Sequence, residues 1–324
     1  MSQSGIGVIC LGECLIDLIA DPGHDLSHAG SLTIREGGAP MNVAVGLARL
    51  GVPSAMCSVV GRDPFGDRLL SLLRHERVDT TGVRQTSDAD TTIAYAWRDD
   101  RGDGRFRIVR LADRLLDGDD VVRIAIAQAT AIVVGSVALS AQPSRRAIEH
   151  AVELAVEQRM PIVFDVNVRP TLWANLGSLR EACEPILRQA TVVKLSLDDA
   201  IALWGYGAID DVQQRLAGIA TSASVVVVTD GGRATWVRRG MPAIAAWSRH
   251  EVFTVDAVEP TGAGDAFTAA LVSRLLAHDW RELTDADIRF AMAAGAITTT
   301  KPGAISALPT ISAIEHFLAS RLHP

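Results

Sequence analysis

Short apolar runs alternate with amphipathic helical patterns along almost the whole sequence. Six runs have the length and composition of buried strands: residues 6–11, 55–60, 131–134, 162–164, 192–195 and 225–229. The helical segments between them have recognisable ends, since Pro40 opens one that stops before Gly51 and Asp63 is placed to cap another before Pro64. Parallel strands need such crossovers, so the sequence predicts an α/β fold with a mainly parallel central sheet covered by helices on both faces.

Two stretches depart from this alternation. Residues 13–36 and 91–110 have the pattern of β structure without intervening helices, and the second contains a glycine-rich turn at 101–104. A βαβα unit separates them in the chain, so we expect them to meet in space as a small β-sheet lid. The sequence shows no internal repeat and no low-complexity linker. It therefore predicts a single α/β domain over residues 1–324, with the lid inserted at these two stretches.

The strongest chemical signal is the turn at residues 258–266, Val-Glu-Pro-Thr-Gly-Ala-Gly-Asp-Ala. It joins a predicted strand at 252–258 to a segment with helical spacing. Gly262 and Gly264 allow backbone N–H groups to converge at a helix N-terminus, where the dipole favours an anion. Asp265 would repel a phosphate there unless it accepts a proton from an attacking hydroxyl, so the pattern favours phosphoryl transfer to an alcohol. The same residues also fit an ordinary glycine turn in which Asp265 caps the helix.

A second glycine segment, Gly37-Gly38, precedes a helix that carries Asn42 in its first turn. Paired glycines allow the backbone to approach a ligand closely, although a glycine-rich helix entry with a solvated Asn fits as well. Asp17 lies in an apolar run and needs partners if it is buried, which sugar hydroxyls would supply. Other polar residues follow predicted strands, at the edge of an α/β sheet where ligands bind: Asp165, Asn167, Arg169, Thr229 and Gly231.

Charge and composition limit the partners. The formal net charge of −7 argues against nucleic acid or an anionic membrane surface. Glu13 and Asp17 interrupt the first apolar stretch, so it does not resemble a secretion signal, and the longest apolar stretch, 124–139, is too short to span a bilayer comfortably. Four cysteines in a chain of this length do not make a disulfide framework. We expect a cytoplasmic protein with small-molecule partners.

These motifs together resemble the ribokinase-type carbohydrate kinase family, often called the phosphofructokinase-B family. Both family signatures are present, the first from Gly37 to Gly51 and the second at 261–265, and the likeness runs from Gly12 to residues 301–304. Within the family the chain is most similar to bacterial fructokinases, in segments 12–18, 61–67, 164–173 and 193–196. The 2-keto-3-deoxygluconate kinases share the third of these segments and are the nearest alternative.

The resemblance implies a ribokinase-like fold, ATP and Mg²⁺ as cofactors, and a role for each matched residue. Asp265 is the implied catalytic base, and the amides of Gly262, Ala263 and Gly264 form the implied anion hole. The implied substrate-binding residues are Asp17, Gly37, Gly38, Asn42, Arg110 and Arg169. The implied nucleotide-binding residues are Lys194, Ser196, Thr229, Gly231, Gly264 and Ala294. A structural ion pair beneath the sheet is the alternative role for Arg169.

Two positions depart from the family pattern. Glu259 stands where the second signature has an aspartate, six residues before the base, in a region that holds a monovalent cation in relatives. Both K⁺-dependent and K⁺-independent activity are therefore compatible with the sequence. The family's Asn-x-x-Glu segment becomes Ser196-Leu197-Asp198-Asp199, which leaves Asp199 as the candidate metal ligand. Mg²⁺ dependence is still expected, because the nucleotide brings the ion.

The favoured function is an ATP-dependent sugar kinase acting on a primary hydroxyl, with fructose as the first acceptor. A 2-keto-3-deoxygluconate kinase, or another sugar or nucleoside kinase of the family, is the alternative. An acid sugar needs a cation for its carboxylate, and Arg98, Arg107 and Arg110 on the lid are candidates. Arginines on an edge strand can also serve only to prevent aggregation.

Two functions from other classes are disfavoured. An NAD-dependent oxidoreductase would need a third glycine where Phe267 stands, and a glycine-rich turn after the first strand. A sugar-binding regulator without catalysis would not need Asp265.

Polar and apolar residues alternate regularly enough along the lid strands for these strands to pair with a second copy, so we expect a homodimer through the lid.

Overall fold

The computed structural model describes residues 7–21, 25–98, 104–240 and 246–321, which form two β-sheets flanked by helices. The strands of the large sheet are β1 (Val8–Leu11), β4 (Ser54–Gly61), β5 (Asp79–Thr86), β8 (Ala131–Gly135), β9 (Ile162–Asp165), β10 (Val192–Ser196), β11 (Val225–Asp230), β12 (Ala234–Arg239) and β13 (Trp247–Glu251). The strands of the small sheet are β2 (Leu15–Ala20), β3 (Leu32–Gly37), β6 (Ile93–Arg98) and β7 (Gly104–Val109). The α-helices of the described residues are α1 (Ala39–Arg49), α2 (Pro64–His75), α3 (Gly118–Arg123), α4 (Ser144–Glu157), α5 (Leu176–Gln189), α6 (Leu197–Trp204), α7 (Ile209–Ile219), α8 (Ala263–Ala277), α9 (Asp285–Thr299) and α10 (Ile311–Ala319).

The large sheet has the strand order β13-β12-β11-β10-β9-β8-β1-β4-β5. Neighbours from β5 to β11 are parallel, whereas β12 and β13 form an antiparallel extension at one edge. The mainly parallel sheet and all six predicted strands are therefore confirmed. Sequence reasoning missed three strands of this sheet, β5, β12 and β13. The residues of β5 are mostly exposed or half-buried, so this polar edge strand lacks the apolar run by which the six were recognised.

The predicted strand at 252–258 is wrong. The last strand, β13, ends at Glu251, which pairs with Ala234, the first residue of β12. Beyond this pair the neighbouring chain has already turned toward β11, so residue 252 has no strand to pair with. The segment is held instead at the end of α9, where the N–H groups of Val258 and Glu259 both donate to the Thr299 carbonyl, at 2.7 and 3.0 Å.

Helices cover both faces of the large sheet, as predicted. Along β1 the side chains alternate between the two sides, so that Ile9 belongs to one hydrophobic core and Val8 to the other. The first core is completed by α3, α4, α5, α6 and α7, and the second by α1, α2, α8, α9 and α10. The helix start predicted at Asp63 is also present, because its side chain accepts a hydrogen bond from the Gly66 N–H at 2.8 Å.

The two β stretches predicted to meet do form one sheet, with the order β3-β2-β6-β7. Part of the predicted glycine-rich turn, residues 101–103, lies outside the described residues.

That residues 1–324 form a single domain stays a prediction. Among the residues described, every helix is too short or too polar to cross a lipid bilayer. All four cysteines are buried and unbonded, as expected.

Close packing of α1 on α8 brings two predicted site residues together. A Cβ atom on Gly46 would lie only 2.7 Å from the Ala269 Cβ, so the absence of a side chain at Gly46 allows the helices to touch. Asn42 lies one turn before Gly46, and Asp265 lies one turn before Ala269. The same contact therefore places Asn42 beside Asp265.

Candidate active site

A cleft of ≈ 370 Å³ lies between the lid and the N-terminus of α8. Eight of the predicted site residues line it: Asp17, Gly38, Asn42, Arg169, Lys194, Gly262, Gly264 and Asp265. Residues from both sheets and two helices thus converge on one volume. The lining also includes residues to which the sequence analysis gave no role, among them Glu13, Phe106 and Ile108.

The glycine turn opens α8 as expected. Gly262 is its N-cap residue, in the left-handed conformation with φ 80°, which glycine adopts without strain. Asp265 is therefore in the first turn and is not the cap, so the alternative role as a capping residue is wrong. The first N–H groups of a helix have no partner within it, although that of Ala263 contacts the Pro260 carbonyl at 3.2 Å. Gly262 and Gly264 both face the cleft.

Asp265 is held by a neighbour distant in sequence. Asn42 Nδ2 donates to Asp265 Oδ2 at 2.7 Å, and the carboxylate is only 8% exposed. Burial raises the pKa of Asp265 to about 6, and the nearby charge of Asp165 adds to this effect. The hydrogen bond from Asn42 and the charges of Lys194 and Arg169 oppose it. The carboxylate is thus ionised above pH 6 while remaining basic enough to accept a proton.

The side of the cleft formed by Asp17 and Asn42 contains two buried side-chain oxygens without a hydrogen-bond partner in the described residues, Asp17 Oδ1 and Asn42 Oδ1. Burial raises the pKa of Asp17 to about 7, against the opposing charge of Arg169. Glu13 lies beside them, 3% exposed, with its pKa also raised to about 7 by burial. Buried acceptors need donors. A polyhydroxylated ligand would supply them.

The paired glycines serve this side of the cleft in different ways. Gly38 lines it with φ 109°, and a Cβ atom there would lie 2.4 Å from the Glu13 carbonyl oxygen. Gly37 is the last residue of β3, where a Cβ atom would lie 2.2 Å from Asp17 Oδ2. Their small size therefore brings the entry of α1 against the lid strand that carries Asp17. A direct contact of Gly37 with a ligand is not supported by this position.

Arg169 lies in the cleft beneath the lid. Its Nη1 donates to Asn167 Oδ1 at 2.5 Å, and its guanidinium stands 5.6 Å from the centre of the Phe106 ring. Asn167 has a positive φ of 42°, a conformation that Asn tolerates better than most residues. Since its hydrogen bonds in the described residues go to Asn167 and Val168, the predicted alternative of a structural ion pair beneath the sheet is not supported.

Arg110 does not have the predicted substrate-binding position. It is 7% exposed and pairs with Asp113 at 2.6 Å. It also donates to the Val137 carbonyl and the Ser140 hydroxyl at 2.8 and 2.9 Å. These bonds neutralise the guanidinium and consume its donors, so Arg110 fixes the base of the lid instead.

Asp199 is likewise committed to the fold. Its Oδ2 accepts from the N–H and the hydroxyl of Ser196, both at 2.8 Å, and its Oδ1 accepts from the Val168 N–H at 2.6 Å. It closes a capping box at the start of α6, and burial raises its pKa. Both oxygens are engaged, so these residues do not fit a protein-built metal site. The described residues also contain no cluster of three or more acidic, His or Cys side chains suited to an ion.

Of the predicted nucleotide-binding residues, Lys194 and Gly264 line the cleft, and the other four lie outside its lining, in two places. Ser196 and Thr229 are paired neighbours at the ends of β10 and β11, and Gly231 follows with φ 50°. Ala294 is 1% exposed and belongs to the second hydrophobic core, so its side chain does not fit a role in an adenine pocket. The face of α9 that carries it packs inward, whereas Ala296 is half-buried.

Of the lining residues without a predicted role, Glu13 could have been recognised from the sequence, whereas Phe106 could not. Glu13 interrupts an apolar stretch directly after Gly12, and a carboxylate in such a run is either buried or functional. Phe106 gave no signal by itself, because an aromatic residue on a strand usually packs in a core. Only the position of β7 above the cleft distinguishes it.

The sequence and the fold match those of known sugar kinases. Residues 6–311 match the model of the pfkB family of carbohydrate kinases. Fructokinase-1 of Zea mays is 36% identical over 312 residues, which cover 94% of each chain. Among solved structures, the fructokinase of Xylella fastidiosa with bound ATP is 26% identical, with a TM-score of 0.83 and coverage of 98% of this chain and 100% of that one.

A fructokinase double mutant from Vibrio cholerae O395, with fructose, ADP and a potassium ion bound, is 31% identical with a TM-score of 0.82 and covers 98% of this chain and 100% of that one. The chain belongs to the pfkB family of carbohydrate kinases. It is a phosphotransferase whose acceptor is a sugar hydroxyl.

Proposed function

We propose that this protein transfers the γ-phosphate of ATP to a primary hydroxyl of a small neutral sugar, with fructose as the first candidate. One observation carries the proposal. Asp265 shares the cleft with two buried oxygens that have no hydrogen-bond partner in the described residues, Asp17 Oδ1 and Asn42 Oδ1. These acceptors require hydroxyl donors at the same place where a base stands beside a helix N-terminus.

In the proposed reaction, Asp265 accepts the proton of the sugar hydroxyl while the hydroxyl oxygen attacks the γ-phosphorus of ATP. The bond between that oxygen and phosphorus forms, and the bond from phosphorus to the β–γ bridging oxygen breaks, so that ADP leaves with the electron pair. Asn42 holds one carboxylate oxygen, Oδ2, which leaves the other to face the hydroxyl. Phosphoryl transfer depends mainly on alignment of the reactants and on stabilisation of charge, which fixed backbone amides supply.

The nucleotide is proposed to lie along the ends of β10 and β11. Ser196 and Thr229 stand side by side there, and Lys194, two residues before Ser196 on β10, reaches the glycine turn, where a Cβ atom on Gly264 would lie 3.2 Å from its Nζ. The relative from Xylella fastidiosa carries ATP. Mg²⁺ is proposed to arrive with the nucleotide, since Asp199 has no free oxygen for it, and no step is assigned to a protein-bound metal.

Charge favours a neutral acceptor over an acid sugar. Three carboxyl groups line the cleft, those of Glu13, Asp17 and Asp265, against two cations, Arg169 and Lys194, of which Lys194 is already paired with Asp165. Of the lid cations that an acid sugar would need, Arg110 is neutralised by Asp113. Arg107 alternates with Phe106 and Ile108 along β7, and those two face the cleft, so Arg107 points to the opposite side. The side chain of Arg98 lies outside the described residues.

The acceptor is best identified by a coupled ADP-release assay with fructose, ribose, 2-keto-3-deoxygluconate, adenosine and inositol. We expect the highest kcat/KM with fructose. A higher value with 2-keto-3-deoxygluconate would show that an acid sugar is the substrate. ADP release with none of the five would support a binding role without catalysis and refute the kinase proposal.

We propose that turnover does not require K⁺. Glu259 Oε2 accepts from the Gly303 N–H at 2.9 Å and so links the segment before the glycine turn directly to the loop after α9. Turnover in potassium chloride and in N-methylglucamine chloride of equal ionic strength should agree within about twofold. Glu259→Asp shortens the side chain and restores the family residue, so this variant should become K⁺-activated. A wild-type protein that is active only in K⁺ would contradict this account.

We propose that the protein forms a homodimer through the outer face of the lid. Leu18, Ile34 and Tyr95 share one row across the lid strands, on the face opposite Asp17. Leu18 packs against the second hydrophobic core, whereas Leu32 and Ile34 on the same face of β3 are 39% and 37% exposed. Such apolar exposure is typical of a surface that is covered by a partner. Sedimentation at micromolar concentration should give twice the chain mass of 34.5 kDa, and a monomer would refute the proposal. A cytoplasmic location stays a prediction.

A further inference from the structure

A buried polar network lies beneath the first turn of α8. Lys194 Nζ, from β10, donates to both oxygens of Asp165, from β9, at 2.8 and 2.9 Å. The hydroxyl of Thr268 contacts Asp165 Oδ2 at 2.6 Å and the Gly264 carbonyl at 3.0 Å. The three residues are 7%, 5% and 0% exposed, respectively. The network therefore joins two parallel strands to the helix that carries the base.

The ammonium group of Lys194 stands close to the glycine turn. A Cβ atom on Gly264 would lie 3.2 Å from Lys194 Nζ, and both residues line the cleft. A lysine ammonium has three N–H donors, of which two contact Asp165. One donor is left for a group in the cleft, on the same side as the amides of the turn.

We propose that Asp165 and Thr268 are positioning residues for phosphoryl transfer, which lock Lys194 and the first turn of α8 into one unit so that the ammonium and the amides meet the phosphoryl group at a fixed distance from Asp265. This inference rests on the proposed kinase function. The phosphoryl-transfer step is the one described above, because Asp165 and Thr268 neither form nor break bonds with the reactants. They act through Lys194 and Gly264.

Stability alone is a poor explanation for the network. Taking an ion pair out of water costs free energy that its mutual attraction often fails to recover, and apolar residues of similar volume are commonly as stable. Preorganised charges in a site without water, in contrast, contribute strongly to catalysis, since they need no rearrangement as the transition state forms. The position of the pair directly under the glycine turn favours the second role.

Asp165 also acts on the base through space. The groups that face Asp265 are Asp165 from β9, Lys194 from β10, Arg169 after β9, Asp17 from β2 and the amide of Asn42 from α1. After burial, the charge of Asp165 is the largest cause that raises the pKa of Asp265. Removing that charge should lower this pKa. The pKa of Asp265 should still fall if Lys194 then loses its proton, because the charge of Lys194 lowers this pKa by less than the charge of Asp165 raises it.

The first test removes the hydroxyl. Thr268→Val should lower kcat by about tenfold or more and leave KM for the sugar within about twofold, because the sugar-binding groups are untouched. Thr268→Ser retains the hydroxyl and should restore most of kcat. Thr298→Val is the matched control, since Thr298 is also fully buried and bonds the carbonyl four residues back, that of Ala294, at 2.9 Å on the neighbouring helix. It should resemble the wild type.

The second test removes the charge. For Asp165→Asn, kcat/KM for ATP at saturating sugar should fall by about tenfold or more, and the acidic limb of its pH profile should move down by roughly half a pH unit or more. A purely structural role would leave the limb in place. The pH profile of Asp165→Asn still tests the inference if Thr268→Val fails to fold.

The outcomes separate the two proposals. A wild-type protein without kinase activity would overturn both. An active wild type, with Thr268→Val equal to Thr298→Val in kcat or with an unmoved limb in Asp165→Asn, would overturn this inference alone.

Discussion

Replacing Asp265 by asparagine should lower kcat by at least ~100-fold while the protein stays folded, because general-base catalysis contributes about 10²- to 10⁴-fold. Asparagine has nearly the same shape but cannot accept the proton at neutral pH. The raised pKa means that the ionised carboxylate costs free energy in the folded state at pH values above 6. The melting temperature of Asp265→Asn should therefore equal or exceed that of the wild type, as measured by calorimetry alongside steady-state kinetics.

A matched control lies at the same position of the neighbouring helix. Asp287 is the third residue of α9, where it closes a capping box with Thr284 and pairs with Arg274 at 2.6 Å. These hydrogen bonds and the charge of Arg274 lower the pKa of Asp287 to about 2 despite its desolvation. Asp287→Asn should cost about 1–2 kcal/mol of stability and keep wild-type turnover per folded molecule. Equal turnover in the two variants would remove Asp265 from its proposed role.

The same assignment predicts the pH dependence of the wild type. A base must be ionised to act, and the pKa of Asp265 is raised to about 6 and that of Asp17 to about 7. The value of kcat/KM should therefore fall as the pH drops below 7 and should level off above it. A profile that is flat down to pH 5 would contradict the assignment of a buried carboxylate as the base, since the ordinary pKa of Asp is about 3.9.

Gly262→Ala should lower kcat by about 100-fold or more, which is the usual effect of losing a preorganised backbone donor. The φ of 80° places Gly262 in the left-handed region, and a Cβ atom there would lie 2.7 and 2.8 Å from the Cβ and Cα atoms of Ala304. The backbone of the loop after α9 would have to move, and the glycine turn would move with it. Steady-state kinetics and thermal unfolding measure the two effects separately.

Gly205 provides the control for backbone strain. It ends α6 with φ 82°, almost the value at Gly262, but a Cβ atom there would meet nothing within 4 Å. Both substitutions carry the cost of a left-handed alanine, about 1–2 kcal/mol. Only Gly262→Ala should also lose activity. If Gly205→Ala reduces turnover as much, the loss comes from strain or instability and not from the position of the amides.

The chemistry of the glycine turn was predictable from sequence because it is local. Two glycines before a helical pattern determine where unpaired N–H groups can converge, and Asp265 lies within the same few residues. The strand before this turn was predicted wrongly for the opposite reason. Residues 252–258 have strand-like composition, but a strand also requires a partner, and β12 begins opposite Glu251.

The role of charged side chains could not be predicted in the same way. Arg110 and Arg169 both follow or flank β structure, and the sequence assigned both to the substrate. In the structure Asp113 and the loop around Val137 consume the donors of Arg110, whereas Arg169 stays in the cleft under Phe106. Asp199 differs from a metal ligand only because Ser196 and Val168 already occupy its oxygens.

The sequence by itself determined the parallel sheet, the helix ends and the identity of the proposed base, since periodicity, capping and glycine conformation act over a few residues. The tertiary structure alone decided which polar groups share a volume. Asn42 and Asp265 are 223 residues apart, and Asp165 and Thr268 are 103 apart, yet each pair is in hydrogen-bond contact. Packing of α1 and of the sheet against α8 makes these contacts, and a polar atom's partners in turn determine its charge, its basicity and whether it is free to bind a ligand.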